Sequence, residues 1–139
     1  MMSFDRRELA AVFAGGAVGA LARVGFSRVF TTGDANWPWA VFAINISGAF
    51  LLGYLITRLQ ERLPLSTYRR QLMGTGFCGA YTTFSTMQLE LLNMWDSHRY
   101  ALAGGYLGAS VVCGYVAVHV STALTRGVRV APMRKRAFR

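Results

Sequence analysis

The sequence predicts an all-α membrane protein with four transmembrane helices, and two observations support this fold class. Of the 139 residues, 53% are hydrophobic and 15% are charged, and the mean hydropathy of +0.32 is high for a soluble domain of this size. Charged residues form short clusters between Glu8 and Arg126. The apolar runs between these clusters are long enough to cross a hydrocarbon layer of roughly 30 Å.

The predicted spans cover about residues 9–29, 38–58, 70–95 and 100–124. Each meets the requirement of roughly 17 to 25 residues for a spanning helix. We therefore expect residues 1–130 to form a single four-helix transmembrane domain, followed by a basic C-terminal tail at 131–139.

The first span has two interpretations. Two arginines followed by an apolar run and by Ala20-Leu21-Ala22 resemble a secretory signal with its cleavage site. However, the apolar run continues to Phe30, and the pair Gly15 and Gly19 has the spacing of a helix-contact motif. We expect the segment to be retained as a transmembrane helix.

The start of the second span carries interfacial residues. A polar turn at 31–36 precedes Trp37-Pro38-Trp39. Tryptophan rings are enriched where a membrane meets water, and proline suits the first turn of a helix. These features predict that the second helix begins near Pro38, at a membrane interface.

The basic residues predict the orientation of the chain. Twelve of the fifteen Lys and Arg residues lie on the side that holds both termini and the central loop, and Arg23, Arg28 and Arg99 lie on the other. By the positive-inside rule, both termini are cytoplasmic. Because the net charge of +9 is concentrated at segment ends and not on one face, it does not indicate a nucleic-acid partner.

Small residues recur at the spacing that allows helices to approach closely. Gly15 with Gly19 and Gly104 with Gly108 are separated by four positions, and Gly48 lies in the second span. We interpret these glycines as helix-packing positions. Four helices of this size can hardly enclose a permeation pathway alone, so we expect a dimer.

The third span differs in composition from the other three. From Gly74 to Thr86 it contains three glycines and five serines or threonines, a poor composition for a continuous helix. One interpretation is a break in the middle of the membrane, where irregular backbone is tolerated if it is buried in protein or lines a wet cavity. The other is a regular helix whose hydroxyls bond to carbonyls of the preceding turn.

Polar side chains in the other spans also allow two readings. Asn45 stands alone in an apolar stretch, where it is either a clamp between helices or a hydrogen-bond donor to an anion. Tyr106, Ser110 and Cys113 follow i, i+4, i+7 spacing and form either a helix contact or a line of donors. Phe84 and Met87 are three residues apart, so we expect them to share a helix face. Phe84 either packs in the core or presents the electropositive edge of its ring to an anion.

Enzymatic chemistry has little support in the sequence. His98 and His119 are isolated, and no motif resembles a metal set or a nucleophile with its base. Cys78 and Cys113 both lie in apolar runs, which excludes a secreted disulfide framework. We expect that the protein is not an enzyme.

Three motifs resemble the signatures of the CrcB/Fluc fluoride channel family. They are GGAVGALAR from Gly15 to Arg23, NISGAFLLG from Asn45 to Gly53, and GFCGAYTTFST from Gly76 to Thr86. The resemblance covers nearly the whole chain. It implies an antiparallel, dual-topology dimer with two fluoride pores and a central structural sodium ion held by backbone carbonyls at the breaks in the two third helices.

The resemblance also assigns roles to individual residues. It implies that the backbone of Gly79 and Thr82 coordinates sodium. It places the fluoride path at Asn45, Thr83, Phe84, Tyr106 and Ser110, the last two of which form a polar track. Met87 stands on this path where the family usually has a second phenylalanine. The resemblance places Glu90 near the polar track and Arg23 in a vestibule. A second departure is Gly114, one turn after Ser110, where the family has a serine.

The function implied by the resemblance is passive export of cytoplasmic fluoride, giving fluoride resistance, across the plasma (inner) membrane of a prokaryote. The expected partners are fluoride, membrane lipid and a second chain. The strong charge bias disfavours insertion of one chain in both orientations, so the dimer is either a homodimer that overrides this bias or a heterodimer with a paralogue.

Two other functions remain open from the sequence. A proton-coupled small multidrug exporter is a similar four-helix dimer, but it needs a glutamate inside the first helix, and this helix has only Glu8 at its edge. A structural membrane subunit would use the basic run Arg134-Lys135-Arg136 for docking or lipid binding.

Overall fold

The computed structural model describes residues 5–30, 37–61 and 67–127, and the secondary structure in these ranges is entirely helical. Helix α1 covers Arg6–Phe30 and α2 covers Trp39–Glu61. The next run begins as Thr67–Arg70, continues as a π-helix over Gln71–Cys78 and returns to α-helix over Gly79–Tyr81; we call this continuous run α3. Helix α4 covers Phe84–Asp96 and α5 covers Tyr100–Gly127. The prediction of an all-helical protein is confirmed.

Three of these helices are long and apolar enough to cross a membrane. The membrane-length segments are Arg6–Val29, Trp39–Leu59 and Tyr100–Gly127. The region of the third predicted span is instead divided between α3 and α4. The predicted polar turn at 31–36 and the basic tail at 131–139 lie outside the described residues.

Helix α1 packs on the π-helical part of α3 at very short range. A Cβ atom at Gly15 would overlap the carbonyl oxygen of Leu72, and one at Gly19 would overlap that of Phe77. From the other side, a Cβ at Gly76 would lie 2.6 Å from the carbonyl oxygen of Val12. The two backbones therefore touch directly, which only glycine permits at these positions.

Helices α2 and α5 form the other close helix pair. Because Gly53 of α2 has no side chain, Ser121 of α5 packs directly against it; a Cβ at this position would overlap the Ser121 hydroxyl. Thr57 donates a hydrogen bond to the Gly53 carbonyl over 2.8 Å and lies 3.3 Å from the Thr122 hydroxyl. Ser121 is fully buried at this contact. Small residues and satisfied hydroxyls thus join α2 to α5.

A buried apolar cluster joins the ends of α2, α4 and α5. Its members are Val41, Met87, Met94, Ala103 and Tyr106. Most other large apolar side chains face outward; Phe13 and Leu21, for example, are 78% and 72% exposed. An apolar exterior of this kind suits contact with lipid or with another chain.

The start of α1 is tied to the start of α3 outside the apolar spans. One carboxylate oxygen of Asp5 accepts from the backbone N–H of Arg7 over 2.9 Å, and the other accepts from the Tyr68 hydroxyl over 2.9 Å. These bonds, with the Arg7 charge, hold the pKa of Asp5 below its ordinary value.

Candidate functional site

Two threonines interrupt the helical path between α3 and α4. Thr82 (φ −75°, ψ 157°) and Thr83 (φ −144°, ψ 105°) both have extended backbone. The amide and the hydroxyl of Thr82 both donate to the Cys78 carbonyl, over 3.1 and 2.9 Å, which closes the end of α3. The Thr83 hydroxyl accepts from the Thr86 amide over 3.2 Å and caps the start of α4.

Asn45 of α2 bonds to the backbone at this interruption. Its Nδ2 donates to the Thr83 carbonyl oxygen over 3.0 Å, and its Oδ1 accepts from the Thr83 amide over 2.9 Å. Extended backbone has lost its helical partners, so the side-chain amide takes their place. Asn45 is therefore a clamp between helices. Because an amide NH2 carries two hydrogens, the clamp leaves one N–H of Nδ2 for another acceptor.

Two grooves meet at Asn45. The first, which we call the break groove, has a volume of about 530 Å³ and includes Gly79, Thr82 and Phe84 among its walls. The second, which we call the α5 groove, has a volume of about 480 Å³ and includes Met87, Ser110 and Gly114. Asn45 and Ala49 line both.

Phe84 and Met87 do not line the same groove, although their spacing placed them on one face. Phe84 is 69% exposed and lines the break groove. Met87 is 8% exposed, belongs to the apolar cluster and lines the α5 groove. Both residues belong to α4, so the difference lies in their surroundings: Met87 is covered by the apolar cluster, whereas Phe84 faces the open break groove.

The predicted stripe on α5 is also divided. The Ser110 hydroxyl donates to the Tyr106 carbonyl over 2.7 Å and lines the α5 groove. Tyr106 is fully buried, with its ring 5.2 Å from that of Trp37 at an angle of 85°. Its hydroxyl has no hydrogen-bond partner among the described residues. Cys113 is exposed and contributes to neither groove.

The two charged candidates, Arg23 and Glu90, do not line either groove. Arg23 is half-buried on α1, and Glu90 is half-buried on α4. Neither lines the break groove or the α5 groove. Glu90 is close enough to Tyr106 for a Coulombic interaction.

The two residues to which the resemblance assigns sodium, Gly79 and Thr82, both line the break groove, and a Cβ at Gly79 would have no heavy atom within 4 Å. Backbone carbonyl oxygens suit hard cations. Within the described ranges no group of three or more His, Cys, Asp or Glu residues competes as a metal site.

The predicted packing glycines divide into two groups. Gly15 and Gly19 touch α3, and a Cβ at Gly48 would overlap the methyl group of Thr82. Gly104 and Gly108 have open space where a Cβ would lie, so none of the described residues packs against them there.

Sequence reasoning missed two features of this site. Ser47 lies 2.9 Å, hydroxyl to hydroxyl, from Tyr81 and joins α2 to the last turn of α3. Its position two residues after Asn45 was the available signal. His119 lines the α5 groove, together with Tyr115. Its distance of nine residues from Ser110 gave only a weak signal. Nine residues make two and a half turns, which places the two residues half a turn apart around the helix.

These features define a small multi-pass membrane protein with an interrupted helical segment clamped by a half-buried side-chain amide. A family model described as "CrcB-like protein, Camphor Resistance (CrcB)" matches residues 10–122. The chain belongs to this family.

Curated relatives agree with this assignment. "Fluoride-specific ion channel FluC 1" of Mycolicibacterium paratuberculosis is 58% identical over 130 residues, which cover 94% of this chain and 98% of the relative. The protein of the same name from Mycobacterium bovis is 55% identical over equal shares. "Fluoride-specific ion channel FluC" of Saccharophagus degradans is 38% identical over 115 residues, covering 83% and 86% of the two chains.

Proposed function

We propose that this protein is a fluoride-specific ion channel, not an enzyme, and that it passively exports cytoplasmic fluoride down its electrochemical gradient. The names of its relatives describe such a channel. The observation that carries the proposal is the Asn45 clamp on Thr83, with a groove on either side of it. The physiological consequence is resistance to fluoride.

The proposed path replaces the water around fluoride with neutral donors. Fluoride is strongly hydrated, so a fixed positive charge would hold it too tightly, whereas hydrogen bonds can exchange stepwise. The free N–H of Asn45 is such a donor, since its other bonds are made to Thr83. The exposed ring of Phe84 adds an electropositive edge in the break groove.

The second part of the path follows the α5 groove. Met87 lines it where the family usually has a ring, and a thioether cannot present a ring edge to an anion. The Ser110 hydroxyl must turn from the Tyr106 carbonyl to donate to fluoride. The buried hydroxyls of Tyr106 and Thr83 complete the proposed polar track.

We also propose that the interruption at Thr82 and Thr83 divides a third membrane-crossing segment in the middle of the membrane. Irregular backbone at that depth requires burial or a wet cavity, and the Asn45 bonds and the break groove provide both. The carbonyl oxygens of Gly79 and Thr82 would hold a sodium ion, which supplies positive charge that fixes the freed backbone. Arg23 remains a proposed vestibule residue.

The proposed assembly is an antiparallel dimer. Both grooves are open on one side in the single chain, and a Cβ at Gly104 or Gly108 would have no neighbour within 4 Å in the part of the chain that the structure describes. A second copy in the opposite orientation would cover such surfaces, although the basic residues favour one orientation. A paralogue of opposite orientation is the alternative partner.

Purified protein in liposomes tests the function directly. The vesicles are loaded with potassium fluoride, a potassium ionophore is added, and release is followed with a fluoride electrode, with chloride-loaded vesicles as the control. We expect rapid release of fluoride and none of chloride. No release from folded protein, alone or co-expressed with a paralogue, would contradict the proposal and favour an exporter or a structural subunit.

A further inference from the structure

Beyond the residues that the resemblance assigns, the α5 groove has an imidazole at its far end. Its wall on α5 runs from Ser110 through Gly114 to Tyr115 and His119. At about 1.5 Å per residue, Ser110 and His119 are about 13 Å apart along the helix. The groove that begins at Asn45 therefore reaches a histidine inside the membrane-length segment of α5.

The polar lining of this groove has a gap at Gly114. A Cβ there would have Ile46 as its nearest atom, at 3.9 Å, so the position has room for a side chain but supplies none. The walls contributed by α2 are Asn45, Ile46 and Ala49, and α4 contributes Met87. Past Ser110, the side-chain hydrogen-bonding groups described along this groove are those of Tyr115 and His119.

The His119 ring is oriented by its neighbour. Its centroid lies 4.2 Å from that of Tyr115, and the two planes are inclined by 32°. Stacking of this kind restricts rotation of the imidazole and so directs its N–H groups. An ionisable side chain within a spanning helix is costly to expose to lipid and usually marks an ion or proton pathway.

We propose that His119 is a further fluoride-contacting residue, which donates a hydrogen bond to the anion at the end of the α5 groove and bridges the gap left by Gly114. The proposal rests on the fluoride-channel function. Among the described residues, the groove walls from α2, α4 and α5 bring no acidic side chain to His119 that would repel the anion.

Four variants test the role of His119 in the liposome assay. His119→Leu removes the donor, and we expect a loss of fluoride flux of about tenfold or more, as for one hydrogen bond to a charged group. Gly114→Ser in the His119→Leu background returns a donor to the gap and recovers part of the flux. His119→Gln keeps a neutral donor. The control is His98→Asn, because His98 lies in the α4–α5 turn with φ 57°, a conformation that asparagine tolerates.

Comparison of the variants separates the proposed role from a structural one. We expect His119→Gln and the Gly114→Ser, His119→Leu double variant, which each place a neutral donor in the groove, to carry more fluoride than His119→Leu, and His98→Asn to keep wild-type flux. Wild-type flux in His119→Leu, or the same loss of flux in His119→Leu, His119→Gln and the double variant, overturns the inference. A wild-type protein without fluoride flux refutes the channel function instead.

Discussion

The α3–α4 junction and helix α5 both contain glycine and hydroxyl residues, but the backbone is extended at the junction and helical throughout α5. In α5, Ser110 and Thr125 each donate to the carbonyl four residues earlier, over 2.7 Å, and the helix continues for 28 residues. At the junction Thr82 makes the same bond to Cys78, yet Thr82 and Thr83 are both extended, and Asn45 binds both backbone groups of Thr83. Hydroxyl residues therefore do not break a helix by themselves.

The glycines of the two regions differ in the same way. Those that face the α3 segment lie against its backbone, whereas Gly104, Gly105 and Gly108 of α5 face open space. Glycine at the first group is required by contact within the chain. At the second group it leaves a surface that none of the described residues covers.

The largest expected effect is on folding. Gly15→Ala places a methyl group on the Leu72 carbonyl oxygen, so we expect a loss of about 3 kcal/mol in the free energy of unfolding. The matched change Gly105→Ala has no neighbour within 4 Å and gains up to about 1 kcal/mol of helix propensity. Equilibrium unfolding in detergent micelles measures both. Equal effects of the two substitutions would remove the distinction between the regions.

The next largest effect is at Asn45. Asn45→Leu leaves the amide and carbonyl of Thr83 without partners, which costs about 2 to 4 kcal/mol. Asn45→Asp adds a negative charge to the proposed path, and we expect fluoride flux to fall to background. The control for the stability effect of Asn45→Leu is Thr125→Val, which removes one hydrogen bond within α5 and costs about 1 kcal/mol. Unimpaired flux in Asn45→Asp would place the path elsewhere.

Phe84→Ile tests the exposed ring beside the junction. Isoleucine preserves apolar bulk but has no electropositive edge, so we expect fluoride flux to fall by tenfold or more, on the order of one lost ion contact. Leu89→Ile is the control, because Leu89 is also exposed on α4 and lines neither groove. Flux near wild type in Phe84→Ile would remove the aromatic edge from the mechanism.

Met87→Phe restores the ring that the family usually has. Met87 is buried in the apolar cluster and touches the α5 groove, so a ring of similar volume can pack there. We expect fluoride flux equal to wild type or higher in the liposome assay. A folded but inactive variant would show that the α5 groove is packed differently in this chain.

The smallest effect concerns Asp5 and Tyr68, outside the spans. Because the pKa of Asp5 is lowered in the folded protein, its stabilising bonds are present above its ordinary pKa and are lost as the pH falls through the lowered value. Tyr68→Phe removes one of these bonds. We expect a small decrease in Tm at pH 7 that disappears in strong acid, with flux unchanged. A Tm difference that persists in acid would contradict this assignment.

The sequence by itself determined the helical membrane class, because apolar length and hydropathy need no tertiary information. Three motifs in order were enough to identify the family. The positions of Gly15 and Gly19 also predicted close helix contact, since small residues four apart share one helix face.

Only the tertiary structure decided what the polar residues do. The sequence left Asn45 open between clamp and donor, and the structure shows the clamp, because the two bonds to Thr83 depend on how α2 meets a segment 38 residues away. In the same way, tertiary packing covers Met87 and leaves Phe84 in the open break groove, and it brings His119 into the groove of Ser110. Local spacing predicts which residues share a helix face, but which neighbour covers that face depends on how the helices pack.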